Sequence, residues 1–260
     1  MRMSNFIITL RLAWCVVVRN WVVYRKDFLA NISPTLADPA FMLTALGMGL
    51  SPYIGNIHGL SYSQYLAPGM AATTVLFTAF FECSYGFYVR MTFESVFKAM
   101  LTTPIGTPEV VWGEFLWVAI RASLMAGGVG LVLAALRILP NPWAVFLFPL
   151  IGGILAIPCG AIGLLASSYV RNINQFQTVY SFIIAPMYFL SGTFFPISDR
   201  SILGVLVQVS PFFHGVRLLQ IAAWNQFSPQ RIAYHLSVIL AYGLILGVWS
   251  FVRIRKKLVN

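Results

Sequence analysis

Glu82 and Arg121 are charged side chains set inside long apolar stretches, a carboxylate and a guanidinium where membrane helices would carry them. Such a pair can form short, charge-assisted, bidentate hydrogen bonds. Alone at depth, either charge costs at least ~2.5–3.5 kcal/mol on insertion scales, so it must find a partner or face a wet cavity. Glu82 lies eight residues before Arg90, which is about 12 Å along a helix at 1.5 Å per residue. Arg121 lies ten residues after Val111, which is about 15 Å. If the two segments are neighbouring and oppositely directed, the depths match and the charges bond across them. The arithmetic leaves a second reading open, in which each faces a translocation path separately.

Other chemistry is sparse. A phosphate-cradling loop needs Gly-Lys followed by Ser or Thr. None of the four lysines, Lys26, Lys98, Lys256 and Lys257, follows a glycine. The chain therefore binds no ATP through such a loop, and if ATP drives it, a partner hydrolyses the ATP. His58, His214 and His235 have no ligand spacing, and Cys15, Cys83 and Cys159 have no paired spacing, so no metal site or disulfide framework is expected. Neither a Gly-x-Ser-x-Gly elbow nor a His-Glu-x-x-His pair occurs, so no catalytic residues are assigned and the chain reads as a non-enzyme. Tyr180, Tyr188, Phe189, Phe194 and Phe195 could stack on sugar faces or anchor span ends at the interface.

The elements that must position these groups are membrane helices. Of 260 residues, 59% are hydrophobic and 9% charged, against about 25% charged in an average globular chain. No charged residue occurs between Asp38 and Glu82, Arg137 and Arg171, Arg171 and Asp199, or Arg231 and Arg253. Each gap admits the ~20 apolar residues of a crossing, and the first admits two. Crossings are predicted at 36–54, 65–88, 111–136, 143–169, 173–195 and 232–252. The fold class is thus an all-α integral membrane protein with six spans.

Residues 1–34 form an interfacial amphipathic segment, and 35–260 the six-span domain. Trp14, Val17, Trp21 and Tyr24 make one stripe, with Arg11, Arg19, Arg25 and Lys26 in another sector. Between 196 and 230, the apolar runs 202–209 and 212–223 are too short to cross and read as a re-entrant hairpin before the last span. The net charge of +10 reflects the basic bias of cytoplasmic segments rather than nucleic-acid binding. With both termini cytoplasmic, twelve basic residues lie inside and four (Arg137, Arg200, Arg217, Arg231) outside.

After the second crossing, Phe93, Val96, Phe97, Met100 and Leu101 recur at helical spacing. Thr92 could cap such a helix, Glu94 and Lys98 could pair at i,i+4, and Pro104 could stop it. Periodicity leaves open whether the stripe rests on the membrane or fills a groove in another protein.

The run Arg90-Met91, then Glu94-Ser95-Val96-Phe97-Lys98-Ala99-Met100-Leu101-Thr102-Thr103-Pro104, then Glu109-Val110-Val111-Trp112-Gly113-Glu114, resembles the first cytoplasmic loop of ABC-2 type transport permeases. Within that family the nodulation-factor exporter (NodJ-type) and YadH-type branches are most similar. Pro186 to Pro196 and Ser210-Pro211-Phe212-Phe213-His214 resemble the family's pattern around the fifth crossing. The resemblance implies an exporter in the bacterial inner membrane, built from two permeases, usually identical, and two ATP-binding subunits that hold ATP and magnesium. It implies that Arg90, Phe93, Glu94, Val96, Phe97, Lys98, Met100 and Leu101 form the ATPase-coupling helix. The hairpin, with Phe212 and Phe213, would close the outer end of a path for an amphipathic substrate such as a glycan, lipid-linked saccharide or drug-like molecule. An ion-coupled secondary transporter would show internal repeats, and a membrane assembly factor remains the other alternative.

Overall fold

The computed structural model describes residues 2–198 and 201–259; Asp199 and Arg200, which enter the charge arithmetic above, lie outside the described residues. The architecture is helical, and among the described residues the only β-type pairing is the isolated Ile57–Leu60 bridge. Helix α1 is Arg2–Lys26. Helix α2 runs from 28 to 54 through Phe28–Met42, a π-helical turn at Leu43–Met48, and Gly49–Ile54. Helix α3 is Tyr62–Thr92, with a π turn at Glu82–Gly86. Then follow α4 Val96–Leu101, α5 Thr107–Ala135 and α6 Ala144–Tyr169. Helix α7 covers 175–189 with a π turn at Tyr180–Ile184. The last are α8 Ile202–Val207, α9 Pro211–Ala223 and α10 Pro229–Val259.

Local signals start these helices. Ser61 Oγ accepts the Gln64 N–H while Gln64 Oε1 accepts the Ser61 N–H, a reciprocal cap at the head of α3. At the head of α5, Glu109 Oε2 accepts the Gly106 N–H at 3.0 Å, and Pro108 stands where its missing N–H costs nothing.

Among the described residues, four helices are long and apolar enough to cross a membrane: α3, α5, α6 and α10. Helices α3, α5 and α6 form the core, around Phe80, Val118 and Leu155, with Phe212 of α9 packed in. Without water to compete for, such helices associate by close packing, which favours small residues at the contacts. Gly163 of α6 lies against the α3 backbone, where a Cβ would stand 2.8 Å from the Phe80 carbonyl.

The two remaining predicted crossings differ from expectation. Helix α2 begins at 28 rather than 36, because the break falls at Asp27. The predicted fifth crossing, 173–195, is helical only over 175–189, where fifteen residues rise about 22 Å, less than a ~30 Å hydrocarbon core. The chain then continues without regular structure, and its carbonyls are taken up by side chains. Gly192 O accepts from Tyr65 Oη at 2.7 Å and Gln220 Nε2 at 3.3 Å, and Phe194 O accepts from Tyr62 Oη at 3.1 Å. Irregular backbone buried in protein satisfies the same requirement that a helix meets internally.

The N-terminal stripe is divided. Val17 and Tyr24 are buried against α5, while Trp14 and Trp21 stay exposed. Gly113 of α5 makes that contact close, since a Cβ there would stand 2.9 Å from the Ala13 carbonyl.

The loop helix is divided as well. Helix α3 runs through Thr92, so Thr92 does not cap a new helix, and Ser95 turns the chain with a left-handed φ of 52°. Phe97 is 1% exposed and Phe93 66%. Glu94 precedes the six-residue α4, and the Glu94–Lys98 pair is not among the ion pairs of the described residues.

Candidate functional site

Glu82, on the π turn of α3, faces α5. Its Oε2 accepts from Arg121 Nη1, and its Oε1 accepts from Arg90 Nη1 at 2.7 Å and Trp117 Nε1 at 3.1 Å. Arg90 also donates through Nη2 to Glu114 Oε2 at 2.7 Å, and Glu114 Oε1 accepts from Asn20 Nδ2 at 3.2 Å. Asn20 Oδ1 in turn accepts from Arg19. The Arg121 guanidinium lies 4.9 Å from the centre of the Tyr24 ring. One polar network therefore joins α1, α3 and α5. Glu114 is fully buried, and a buried carboxylate is tolerable only when paired and hydrogen-bonded in this way.

The spacing brought out Glu82 and Arg121, and the structure brings them together. Arg90, assigned from the resemblance to the coupling loop, instead sits inside the bundle between two carboxylates. Glu114, Trp117 and Asn20 were missed. A signal was available: Glu114, Trp117 and Arg121 stand at i, i+3 and i+7, one face of a single helix.

Two cavities meet at this network. One, about 370 Å³, is mostly apolar, with Met70, Thr73, Phe77, Phe81 and Tyr188 on its wall. The other, about 350 Å³, is the more polar of the two, with Arg19, Asp27, Asn31, Arg90 and Glu94 on its wall. Glu82, Tyr85, Gly86 and Arg121 line both, so the ion pair forms the partition.

Tyr188 gathers aromatic residues beside the apolar cavity, with ring centroids 5.3 Å from Phe77, 4.8 Å from Phe189 and 4.9 Å from Phe194. Tyr180 joins through Phe77 and Phe81. Phe195 stands apart and exposed, and Phe212 and Phe213 are buried in the bundle rather than on a cavity shared with Tyr188. Sequence spacing gave no reason to link His214 and His235, yet their Nδ1 atoms lie 2.8 Å apart. His214 Nε2 lies 2.9 Å from the Gln208 carbonyl and donates to it, which leaves Nδ1 of a neutral His214 to accept from His235. Burial pulls the His214 pKa below its ordinary value.

The arrangement holds no nucleophile beside a base. It is two chambers of different polarity separated by a charge pair. Residues 11–224 match the family described as ABC-2 type transporter. The chain is 30% identical over 252 residues to Nodulation protein J of Rhizobium leguminosarum bv. viciae, covering 96% of each chain. It is 31% identical over 248 residues to Nodulation protein J of Neorhizobium galegae, covering 92% of this chain and 94% of that one. It is 22% identical over 214 residues to the inner membrane transport permease YadH of Escherichia coli (strain K12), covering 80% and 78%. A helical chain with several membrane-length apolar helices and matches over nearly its whole length belongs to the ABC-2 type transporter family, as a membrane transport permease.

Proposed function

We propose that this permease is the membrane subunit of an ATP-driven exporter, working as a homodimer with two ATP-binding subunits that hold ATP and magnesium. The single observation that carries a transport mechanism is the ion pair Glu82–Arg121 between a polar and an apolar chamber. A substrate with a polar head and an apolar body meets chambers of both kinds, which favours an amphipathic glycan or lipid-linked saccharide. The Tyr188 cluster offers ring faces for its sugars, while Phe195, Phe212 and Phe213 serve the outer gate.

In this reading six crossings span the inner membrane, with residues 36–54 of α2 as the first and 173–195 as the fifth. Helices α8 and α9 form the re-entrant hairpin, α1 and the chain to residue 34 lie at the interface, and both termini are cytoplasmic. The basic residues at the chain ends support that orientation. Coupling passes through the loop around α4, whose outward side chains are Phe93, Glu94 and Lys98. Phe97 and Met100 fix that loop to the bundle from beneath, and Val96 and Leu101 are half-buried beside them. Closure of the ATP-binding subunits pushes the loop, tilts α3 against α5 and works the ion pair at the partition.

The test is co-reconstitution with an ATP-binding subunit, followed by uptake of a fluorescent lipid-linked oligosaccharide into inside-out vesicles. Uptake requiring both ATP and the second subunit is expected. Uptake by the permease alone, driven by an ion gradient, would replace this reading with secondary transport.

A further inference from the structure

A groove of about 390 Å³ runs between α5, α6 and α10, on lining residues separate from both chambers described above. None of its lining residues is charged. Trp112, Phe115 and Ile157 wall it, and Gly243 and Gly247 form its floor on α10. The glycines are not required by close helix contact. A Cβ at Gly243 would meet its nearest neighbour at 3.4 Å, and one at Gly247 at 4.0 Å.

The dimensions select the occupant. On α10 the lining runs from Ile239 to Phe251, twelve rises or about 18 Å, roughly three-fifths of a ~30 Å hydrocarbon core. Over that length the lining is almost wholly apolar side chain and glycine, open along one side. That suits a single file of methylenes at carbon–carbon contacts of ~3.5–4 Å. Gly243 and Gly247 at i,i+4 also fit a helix-packing motif, and the test below separates that occupant from a lipid chain.

The open end supplies the charge. Arg255 is exposed and stands at i+4 from Phe251 and i+8 from Gly247, on the groove's face of α10. Helical side chains lean toward the N-terminus, so a guanidinium at 255 can reach back toward Phe251, the last lining residue on α10. Trp112, 55% exposed, lines the groove near the start of α5. We propose that the groove holds one acyl chain of an anionic phospholipid, its phosphate against Arg255 and Trp112. Placing that lipid in the cytoplasmic leaflet rests on the orientation proposed above; the groove and its basic mouth do not.

The test offers dioleoyl phosphatidylglycerol and dioleoyl phosphatidylcholine to the delipidated full-length permease and counts bound lipids by native mass spectrometry. Phosphatidylglycerol should bind at least tenfold more tightly. Gly243→Leu, which fills the channel, should weaken it fivefold or more, while Gly243→Ala should retain it. Arg255→Gln should remove the preference between the two lipids and leave chain binding. Equal affinity for both lipids in the unmodified permease, or unchanged binding in Gly243→Leu, overturns the proposal. Loss of a dimer in Gly243→Leu with lipid binding unchanged assigns the groove to helix packing instead. A reporter at the C-terminus tests the orientation separately, since an outward C-terminus would move the lipid to the other leaflet without abolishing its binding.

Discussion

Phe97 packs against Phe87 inside the bundle, ring centroids 4.6 Å apart, so the loop after α3 is held by one aromatic residue and offers another, Phe93, outward. A residue at i+4 from an exposed one ordinarily shares its face. Here the left-handed turn at Ser95 breaks the helix between them and sends them in opposite directions.

The two rings therefore give opposite results on substitution. Phe97→Ala should destabilise the permease by ~3–5 kcal/mol, the usual cost of emptying a buried aromatic site. Phe93→Asp should leave thermal unfolding in detergent unchanged and release the ATP-binding subunit in co-purification. Retention of that subunit by Phe93→Asp would move the contact elsewhere.

Glu82 and Arg121 should behave as a coupled pair. Removing one partner of a buried ion pair costs ~3–5 kcal/mol, because the other charge is left uncompensated. Glu82→Gln and Arg121→Gln should each impair folding or transport, and the double variant should recover ~0.5–3 kcal/mol relative to their sum. Strict additivity in unfolding and in vesicle uptake would make them independent path residues. Arg90→Gln should be at least as damaging as either, since Arg90 serves both Glu82 and Glu114.

Lys257 should matter for stability despite lying three residues from the end of the chain. Its Nζ donates to the Ser167 carbonyl at 2.7 Å and the Val170 carbonyl at 3.1 Å, at the C-terminal end of α6. Cations there meet unpaired carbonyls and the negative end of the helix dipole. Lys257→Met keeps the stem and should cost ~1.5–3 kcal/mol, the range for hydrogen bonds to charged groups. Thermal unfolding compared with Lys256→Met, an exposed neighbour, checks it; equal effects would reduce the contact to general charge.

Gly113→Val should separate α1 from α5. The added side chain meets Val16 and the Ala13 carbonyl, and overpacking of this kind costs ~1–3 kcal/mol. Protease sensitivity near Asp27 should rise while the rest of the bundle stays resistant. Unchanged protection of α1 would show that its side-chain bonds to Glu109 and Glu114 suffice.

The amino-acid sequence by itself determined four long apolar helices and two members of the charge network. Apolar runs without charge specify spanning helices because a helix satisfies its own backbone, a local property. Glu82 and Arg121 were legible because rise per residue converts position into depth. What the tertiary structure decided depends on residues far apart in the chain. Arg90 turns inward to Glu114, 24 residues away, and Phe97 settles on Phe87 rather than outward. His214 meets His235 across two helices. The irregular stretch after α7 stands only because Tyr62, Tyr65 and Gln220 take its carbonyls. Periodicity reports which residues share a face, and the neighbours facing them decide whether that face is covered by protein, lipid or a partner.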